Sequence, residues 1–212
     1  METPIISVEV EVPFTTLKVY RTRQNIKTHR VPPYSTVYGL LESYVGEPDK
    51  FKYIGVELAI AMISNPRVDK ILRKIRRFKS SDLNSDCNST PEYQEILHGL
   101  HFIVCVRDNA TGLVQRLSDS MRNPESINRF GCLCLGESRD RVNQFRTPRE
   151  QYDGLKWLVE AKFGDYYLPH WIDHTDKASS IATHRTYTTV AGRKDDHGNF
   201  IIPDKAWVKI HP

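Results

Sequence analysis

The stretch from Ile5 to Phe14 reads Ile-Ile-Ser-Val-Glu-Val-Glu-Val-Pro-Phe, and it decides the fold class. Polar and β-branched residues alternate along it, which is the period of two expected of a strand that buries one face. Pro13 is expected to end the strand, because proline has no N–H to donate to a neighbouring strand. The first predicted element is therefore a half-buried β-strand.

The five elements predicted after this strand complete a mixed α and β pattern. They are a helix at 36–44, capped by Ser35 and closed by Gly46, strands at 52–62 and 100–107, a helix at 111–121 and a strand at 129–135. Helical spacing of apolar residues indicates the helices, and long apolar runs indicate central strands. The order β-α-β-β-α-β is the ferredoxin-like arrangement that RNA-recognition motifs also use. We predict an α+β, ferredoxin-like (RRM-like) domain over residues 1–135.

The pattern weakens after Gly136, where only short strands are indicated. They are expected at 157–159, 166–168, 185–190 and 206–210, because β-branched and aromatic residues cluster there. Residues 136–212 are therefore predicted to be a β-rich C-terminal extension that packs on the first domain.

Length and composition fit a folded protein in water. The chain has 212 residues, 39% of them hydrophobic, and no apolar stretch approaches the roughly 18 residues that a membrane helix needs. The start, Met1-Glu2-Thr3-Pro4, lacks the basic segment of a signal peptide. We therefore expect a cytoplasmic protein that has no membrane partner.

Cysteine and histidine spacings give no metal motif. The four cysteines, Cys87, Cys105, Cys132 and Cys134, are expected to be buried free thiols in a reducing compartment. Cys132 and Cys134 alternate along the predicted strand at 129–135 and would share one face. His170 and His174 have no cysteine pair nearby, so their spacing is more typical of structural residues. No metal and no cofactor is predicted.

An insertion at 64–98 separates the second and third predicted strands and is too long for a hairpin turn. Its apolar residues fall on one helical stripe, made of Val68, Ile71, Leu72, Ile75 and Phe78. This predicts a helix with cations on its other faces, suited to a phosphate backbone. Only Asp69 and Asp82 are acidic within residues 67–85, which favours nucleic acid over the alternative of a solvated basic face.

A second basic cluster lies in the predicted loop at 21–30, directly before the first helix. The free N–H groups of a helix N-terminus also favour a phosphate. Tyr34 and Tyr38 flank this position and could stack on a base, as aromatic residues do when single-stranded RNA is held. The alternative for both tyrosines is ordinary packing of an amphipathic helix.

The predicted RNA-binding residues come from these clusters and from two later arginines. They are Arg21, Arg23, Lys27, His29, Arg30, Tyr34, Ser35, Tyr38, Lys70, Arg73, Lys74, Arg76, Arg77, Phe78, Lys79, Arg129 and Arg139.

A catalytic interpretation rests on Lys27, His29 and Tyr34, which are close in sequence. Such residues can cleave RNA without a metal by general acid–base chemistry. Closeness in sequence is weak evidence of a site, however, and a histidine in a basic loop more often contacts phosphate. We predict no catalytic residue and keep metal-independent RNA cleavage as an alternative. A scaffold subunit whose basic surfaces bind acidic proteins is a second alternative.

Three segments carry a resemblance to a known family. They are Val10-Glu11-Val12-Pro13-Phe14, Pro32-Pro33-Tyr34-Ser35-Thr36-Val37-Tyr38-Gly39-Leu40-Leu41, and Arg129-Phe130-Gly131 leading to Leu135-Gly136-Glu137-Ser138-Arg139-Asp140. They resemble the fifth-numbered family of CRISPR-associated (Cas) proteins, in the style of type I-B and the related myxobacterial and cyanobacterial subtype. The resemblance covers about the first 142 residues.

The resemblance implies a RAMP domain with a basic thumb at 64–98. It implies a subunit of the Cascade effector complex that binds the 5′ handle of the CRISPR RNA, caps the filament, and contacts the filament subunit and the large subunit. Any interaction of this subunit with target DNA near the PAM would be indirect. One subtype's member cleaves precursor RNA instead. Antiviral defence and RNA-guided transposition both remain open as settings.

Overall fold

The computed structural model describes residues 3–20, 22, 25–76, 79–108, 110–149, 152, 154–173, 181–195 and 199–212. The helices are α1 (Tyr34–Val45) and α2 (Leu113–Arg122). The strands are β1 (Ile5–Thr15), β2 (Asn25–Ile26), β3 (Glu57–Met62), β4 (Arg67–Arg76), β5 (Ser89–Arg107), β6 (Gln144–Arg146), β7 (Lys156–Glu160), β8 (Tyr166–Asp173), β9 (Ile181–Ala191), β10 (Arg193–Lys194), β11 (Phe200–Ile201) and β12 (Val208–Lys209). Short 3₁₀ turns occur at Asp86–Asn88, Pro124–Ser126 and Asp204–Ala206.

One large sheet runs through the molecule in the strand order β6-β1-β5-β3-β7-β9-β8. Strands adjacent in this order are antiparallel. The alternation predicted for β1 is confirmed, because Val8, Val10 and Val12 are fully buried in the main core. Both helices pack on this face of the sheet, where Leu41 of α1 and Leu117 of α2 join the same core. The chain is thus an α+β protein, as the sequence predicted.

A buried carboxylate attaches β6 to β1. Glu9 lies opposite Arg146 in the register and accepts a hydrogen bond of 3.0 Å from it. Tyr152 donates to the same carboxylate at 2.7 Å, and His101 lies 2.8 Å away. Burial alone would raise the pKa of Glu9, but these hydrogen bonds lower it to about 2. The charged carboxylate therefore ties three separate segments together.

Both predicted helices are confirmed, although the predicted cap is wrong. Helix α1 begins two residues earlier than expected, and its N-cap is Pro33. Ser35 consequently lies inside the first turn, where its hydroxyl donates to the Pro169 carbonyl at 3.2 Å. Gly46 ends the helix in the left-handed conformation, as its position predicted.

The predicted strand at 129–135 is wrong. Instead the chain forms a loop there, with a single bridge between Cys134 and Arg141, and the strand beside β1 is β6. Asp140 stabilises this loop by accepting hydrogen bonds from the N–H groups of Thr16 and Glu137, at 2.8 and 2.9 Å. These contacts hold residues 135–140 in a loop, so that the segment does not pair with a neighbouring strand.

The second predicted strand is shorter than expected, because residues 51–55 form turns and β3 begins only at Glu57. The C-terminal strands expected at 157–159, 166–168 and 185–190 lie inside β7, β8 and β9, whereas only residues 208–209 of the strand expected at 206–210 are extended, as β12. They extend the sheet from β3, with Trp157 of β7 opposite Ala61 and Val208 of β12 opposite Leu58.

The helix predicted within 67–79 is also wrong. Strand β4 pairs with the first half of β5, from Arg67 opposite His98 to Arg76 opposite Ser89, and forms a long hairpin. Burial alternates along β4: Ile71, Arg73 and Ile75 are half-buried, whereas Lys70, Leu72 and Lys74 are exposed. The apolar residues that suggested a helical stripe are therefore divided between the two faces of a strand.

The cysteines differ from expectation in burial. All four are free, but only Cys105 is buried; Cys134 is half-buried, and Cys87 and Cys132 are exposed. Within the described residues no group of three or more potential metal ligands occurs, and His174 lies outside them. No helix in the described ranges is long and apolar enough to cross a membrane.

We predict that Gly136→Ala destabilises the fold by about 2–4 kcal/mol. Gly136 has φ +108°, and a Cβ there would lie 2.6 Å from Thr15 Oγ1 and 2.8 Å from the Thr16 carbonyl oxygen. Gly131 is the matched control, because it has φ +81° but nothing within 4 Å of its Cβ position. Gly131→Ala should cost only about 1 kcal/mol. Urea denaturation measures both values, and equal losses would show that close packing at Gly136 is unimportant.

Candidate nucleic-acid interface

The outer face of the β4–β5 hairpin combines exposed cations with exposed apolar side chains. Leu72 and Tyr93 are directly opposite each other across the two strands and are 63% and 56% exposed. Lys70 and Lys74 lie on either side of Leu72 on the same face of β4, and both are exposed. An aromatic ring between backbone-directed cations is the usual composition of a single-stranded nucleic-acid site.

The inner face of the hairpin has a different role. Arg73 donates to Glu137 at 3.1 Å and also to Gln94, which is fully buried. Arg139 donates to Gln94 at 3.1 Å and pairs with Glu137 at 3.0 Å. Gln94 in turn donates to Thr16 Oγ1 at 2.8 Å. Arg73 and Arg139, both predicted to bind RNA, therefore join the hairpin to the 135–140 loop, and their charge is partly neutralised there.

The tip of the hairpin is organised by Asn88, which is 3% exposed. Its amide oxygen accepts from the N–H groups of Lys79 and Ser80, at 2.7 and 2.8 Å. Its amide nitrogen donates to the carbonyl of Asp82 at 2.7 Å. Lys79 is held by its backbone while its side chain is exposed. The Arg76 side chain and residues Arg77 and Phe78, all predicted to bind RNA, lie outside the described part of the chain.

The basic loop predicted at 21–30 lies against the base of the same hairpin. Strand β2 pairs with β5 in parallel, with Asn25 opposite Tyr93. Lys27 forms an ion pair of 2.7 Å with Glu95, the residue opposite Lys70. Arg30 is exposed and has no ion pair within the described residues. Arg21 and Arg23 lie outside the described residues.

His29 is not suited to bind a phosphate as a cation. Burial, and then the nearby His184, lower its pKa to about 4, so its ring is neutral at physiological pH. The Nε2 atom of His29 is buried and has no hydrogen-bond partner among the residues that the structure describes. The same burial prevents it from reaching a substrate hydroxyl as a general base in this conformation.

Base stacking on Tyr34 and Tyr38 is contradicted by their burial. Tyr34 is fully buried, stacks on Tyr187 with ring centroids 4.9 Å apart, and has its hydroxyl 3.3 Å from the Leu158 carbonyl. Tyr38 is 3% exposed and donates to the Lys50 carbonyl at 3.0 Å. The packing alternative is correct for both rings.

The start of α1 is likewise closed to a phosphate. Residues 31–34, which lead into the helix, are all buried. The N–H groups of Thr36 and Val37 in the first turn are within 3.0 Å of the Pro33 carbonyl. The basic loop therefore does not open onto free N–H groups of this helix.

Two exposed aromatic residues, Tyr93 and Phe130, were not among the predicted RNA-binding residues. Tyr93 lies opposite Leu72. Reading residues 67–76 and 89–98 as two strands, with alternate side chains on the same face, would have predicted this pair. Phe130 is fully exposed beside a cavity of about 520 Å³ at the end of α1. The neighbouring Arg129 lies with its guanidinium 5.6 Å from the centre of the Tyr44 ring.

Comparison with known proteins identifies the family. No family model matches the sequence. The chain is 30% identical over 179 residues to CRISPR-associated protein Cas5 of Myxococcus xanthus (strain DK1622), covering 80% of this chain and 84% of that protein. The chain belongs to the Cas5 family. The family resemblance found in the sequence is confirmed, and the subtype stays a prediction.

Solved structures share the fold of this chain. A chain of a CRISPR RNA-guided surveillance complex superposes with a TM-score of 0.65 at 10% identity, covering 89% of this chain and 90% of that chain. A second structure, described as a Cas protein, gives a TM-score of 0.55 at 14% identity over 89% and 94% of the two chains. At these identities the likeness concerns the fold alone.

We predict that the free energy of unfolding falls between pH 8 and pH 5 and that His29 accounts for part of the loss. An unfolded histidine binds a proton below about pH 6.5, whereas folded His29 binds one only near its pKa of about 4. The unfolded state binds more protons between these values, so stability decreases as pH falls. His29→Asn should lose about 2 kcal/mol less than wild type over this interval. Urea unfolding at the two pH values measures this, and equal losses would contradict it.

Proposed function

We propose that this Cas5 protein is a non-catalytic subunit of a type I CRISPR Cascade complex that binds the 5′ handle of the CRISPR RNA. The observation that carries the proposal is the outer face of the β4–β5 hairpin. Its cations lie in a row with exposed apolar side chains between them, and the described residues of this face include no acid except Glu95. Electrostatic contact with phosphates and stacking on Tyr93 would together hold a single strand.

The spacing along β4 supports a role in contacting a nucleic-acid strand. Lys70 and Lys74 are four residues apart on one face, which corresponds to about 13 Å along a strand. Leu72 and Tyr93 fill the interval between them. Each lysine can neutralise a phosphate while a base packs on the apolar pair. Lys79 at the tip extends the cationic row beyond β4.

The proposed architecture is a ferredoxin-like RAMP domain over residues 1–135, with the hairpin region at 64–98 as its thumb. Residues 136–212 are the C-terminal extension. The position of the hairpin supports this assignment, because it lies between β3 and the second half of β5, where the family's thumb is expected. Strand β6, three residues of the extension, pairs with β1.

The proposed partners are the filament subunit, which this protein would cap, and the large subunit. Target DNA near the PAM would be approached through them. This assembly would support RNA-guided DNA targeting in antiviral defence, with RNA-guided transposition as a second possible setting. If partner binding survives ribonuclease and no RNA co-purifies, the protein is a scaffold and the RNA-binding proposal is wrong.

We predict that the purified chain does not cleave CRISPR repeat RNA. Of the three residues considered for catalysis, Tyr34 is buried, Lys27 is paired with Glu95, and His29 has a buried Nε2 atom. The measurement is a cleavage assay on repeat RNA with and without a chelator. Site-specific cutting that His29→Ala or Lys27→Ala abolishes would establish a ribonuclease and overturn the proposal.

We predict that replacing Lys70, Lys74 and Lys79 together by Ala weakens handle binding and flattens its salt dependence. Each phosphate contact to a single strand contributes a slope of about −0.7 in log K against log salt, so three lost contacts should reduce it by about two. A salt titration of fluorescent handle RNA measures the slope.

The matched control replaces three other exposed lysines by Ala. Lys156, Lys205 and Lys209 are exposed and lie outside the hairpin, so their replacement changes the net charge by the same amount. This control should keep the wild-type slope. If both triple variants behave alike, binding reflects net charge and the hairpin face is not the interface.

A further inference from the structure

A small cavity lies between α1 and β8, away from the hairpin. It encloses about 210 Å³ and is lined by Tyr38, Gly39 and Glu42 of α1, by Lys50 of the following loop, and by Trp171 of β8. Its volume is below the roughly 300 Å³ at which small-molecule and cofactor sites begin. The cavity therefore fits one side chain better than a nucleotide or a cofactor.

Two buried polar atoms of residues that line the cavity have no hydrogen-bond partner within the described part of the chain. Glu42 is 6% exposed, and its Oε1 atom accepts no hydrogen bond from the described residues; Trp171 is 4% exposed, and its Nε1–H finds no acceptor among them. An unpaired buried polar group typically costs about 1–3 kcal/mol. Both residues line the same cavity, and one offers an acceptor while the other offers a donor. A ligand that offers a donor and an acceptor would satisfy both.

Gly39 gives independent evidence that something outside the chain approaches α1. It lies inside the helix, where glycine is less stable than alanine, yet a Cβ at this position would meet nothing within 4 Å. Internal packing therefore does not require a glycine. The missing side chain leaves open surface over the cavity, which lets another polypeptide come close to the helix.

The charges around the cavity favour a cation. Lys50 pairs with Asp173 at 3.3 Å and Lys52 pairs with Glu47, and among the described residues neither Glu42 nor Asp49 forms an ion pair within 4 Å. Burial raises the pKa of Glu42 to about 7; the nearby Glu47 and Asp49 contribute to the rise, whereas the Tyr38 hydroxyl and the charge of Lys50 oppose it. A bound cation would relieve this repulsion and hold Glu42 charged.

The aromatic residues at the cavity suit the same ligand. The Lys50 ammonium already lies 4.8 Å from the centre of the Phe51 ring and 5.6 Å from that of Trp171. Cations are attracted to the faces of such rings. A phosphate or an RNA base edge would instead lie beside the Glu42 carboxylate, and Lys50, the cation of the described lining, is already paired with Asp173.

We propose that this cavity is a docking site for an arginine or lysine side chain of a protein partner, whose charge pairs with Glu42 while its backbone carbonyl accepts from Trp171 Nε1–H. The site rests on the proposed function only in so far as that function supplies protein partners. Its geometry is independent of the hairpin.

The test uses the full chain and two small probes, N-acetyl-arginine methylamide and its neutral isostere N-acetyl-citrulline methylamide. Proton–nitrogen NMR follows the Trp171 indole N–H, assigned with Trp171→Phe, and the Gly39 amide. We expect saturable shifts of both signals with the arginine probe at millimolar concentrations. The citrulline probe should bind at least about 5-fold more weakly, because it lacks the charge that Glu42 would pair with.

Two variants test the residues. Glu42→Gln should remove the preference for arginine over citrulline, whereas Glu125→Gln, an exposed acid elsewhere, should retain it. Gly39→Ala should raise the melting temperature of the chain by about 2–4 °C and yet weaken arginine binding, since the methyl group stabilises the helix but occupies the approach. A merely structural role for Gly39 would not produce effects of opposite sign.

Each remaining outcome overturns the proposal. No saturable shift, equal binding of the two probes, or unchanged binding by Gly39→Ala and Glu42→Gln would show that the cavity takes no basic side chain. Inorganic phosphate or adenosine monophosphate shifting the same signals would make it an anion or nucleotide site. Handle RNA binding is measured separately on the same variants and should be unchanged, so failure of the RNA-binding proposal remains distinguishable.

Discussion

The pairing of β5 on both of its edges is the interaction on which the other features depend. Its second half lies between β1 and β3 in the middle of the sheet, and its first half continues outward between β4 and β2. A strand of 19 residues is far longer than the usual five or six. Because the same strand belongs to the core and to the hairpin, the hairpin has a fixed direction relative to the core.

A polar cluster at the base of the hairpin strengthens this connection. Gln94 is fully buried, yet it joins Arg73 of β4, Thr16 beyond β1 and Glu137 of the 135–140 loop. Buried polar groups that are all satisfied specify one arrangement, since any other would leave some unpaired. Arg73 is therefore better described as a residue that positions the hairpin than as a phosphate ligand. The lysines of the outer face are free of this task.

Sequence alone predicted those elements in which one periodicity dominates. Alternation in β1 and the glycine that ends α1 were sufficient, because each is a local signal with one physical meaning. The hairpin strand β4 was mistaken for a helix because Val68, Ile71, Leu72 and Ile75 fit a helical stripe, and nothing local reveals that a partner strand lies some twenty residues later. Pairing between residues 67 and 98 is a non-local interaction that overrides local secondary-structure propensity.

The candidate site was predictable in composition but not in orientation. The sequence located the basic segment correctly, but strand geometry divides its cations, with Lys70 and Lys74 outward and Arg73 inward. The prediction for Tyr34 and Tyr38 was wrong for a related reason. Aromatic residues near a basic loop suggest stacking, whereas the start of α1 is covered by residues from β7, β8 and β9 that are distant in sequence.

The two surfaces proposed for RNA and for protein are separated by the sheet itself. Strand β5 carries the basic hairpin and β8 forms part of the acidic cavity, and β3, β7 and β9 lie between them in the sheet. Surfaces of opposite charge in separate parts of one sheet can be occupied together without competing for a ligand. A phosphate is repelled from Glu42 and Asp49, and a basic side chain is repelled from Lys70 and Lys74. The charge distribution thus suits each of the two proposed surfaces to a different class of partner, which the modest net charge of +4 does not reveal.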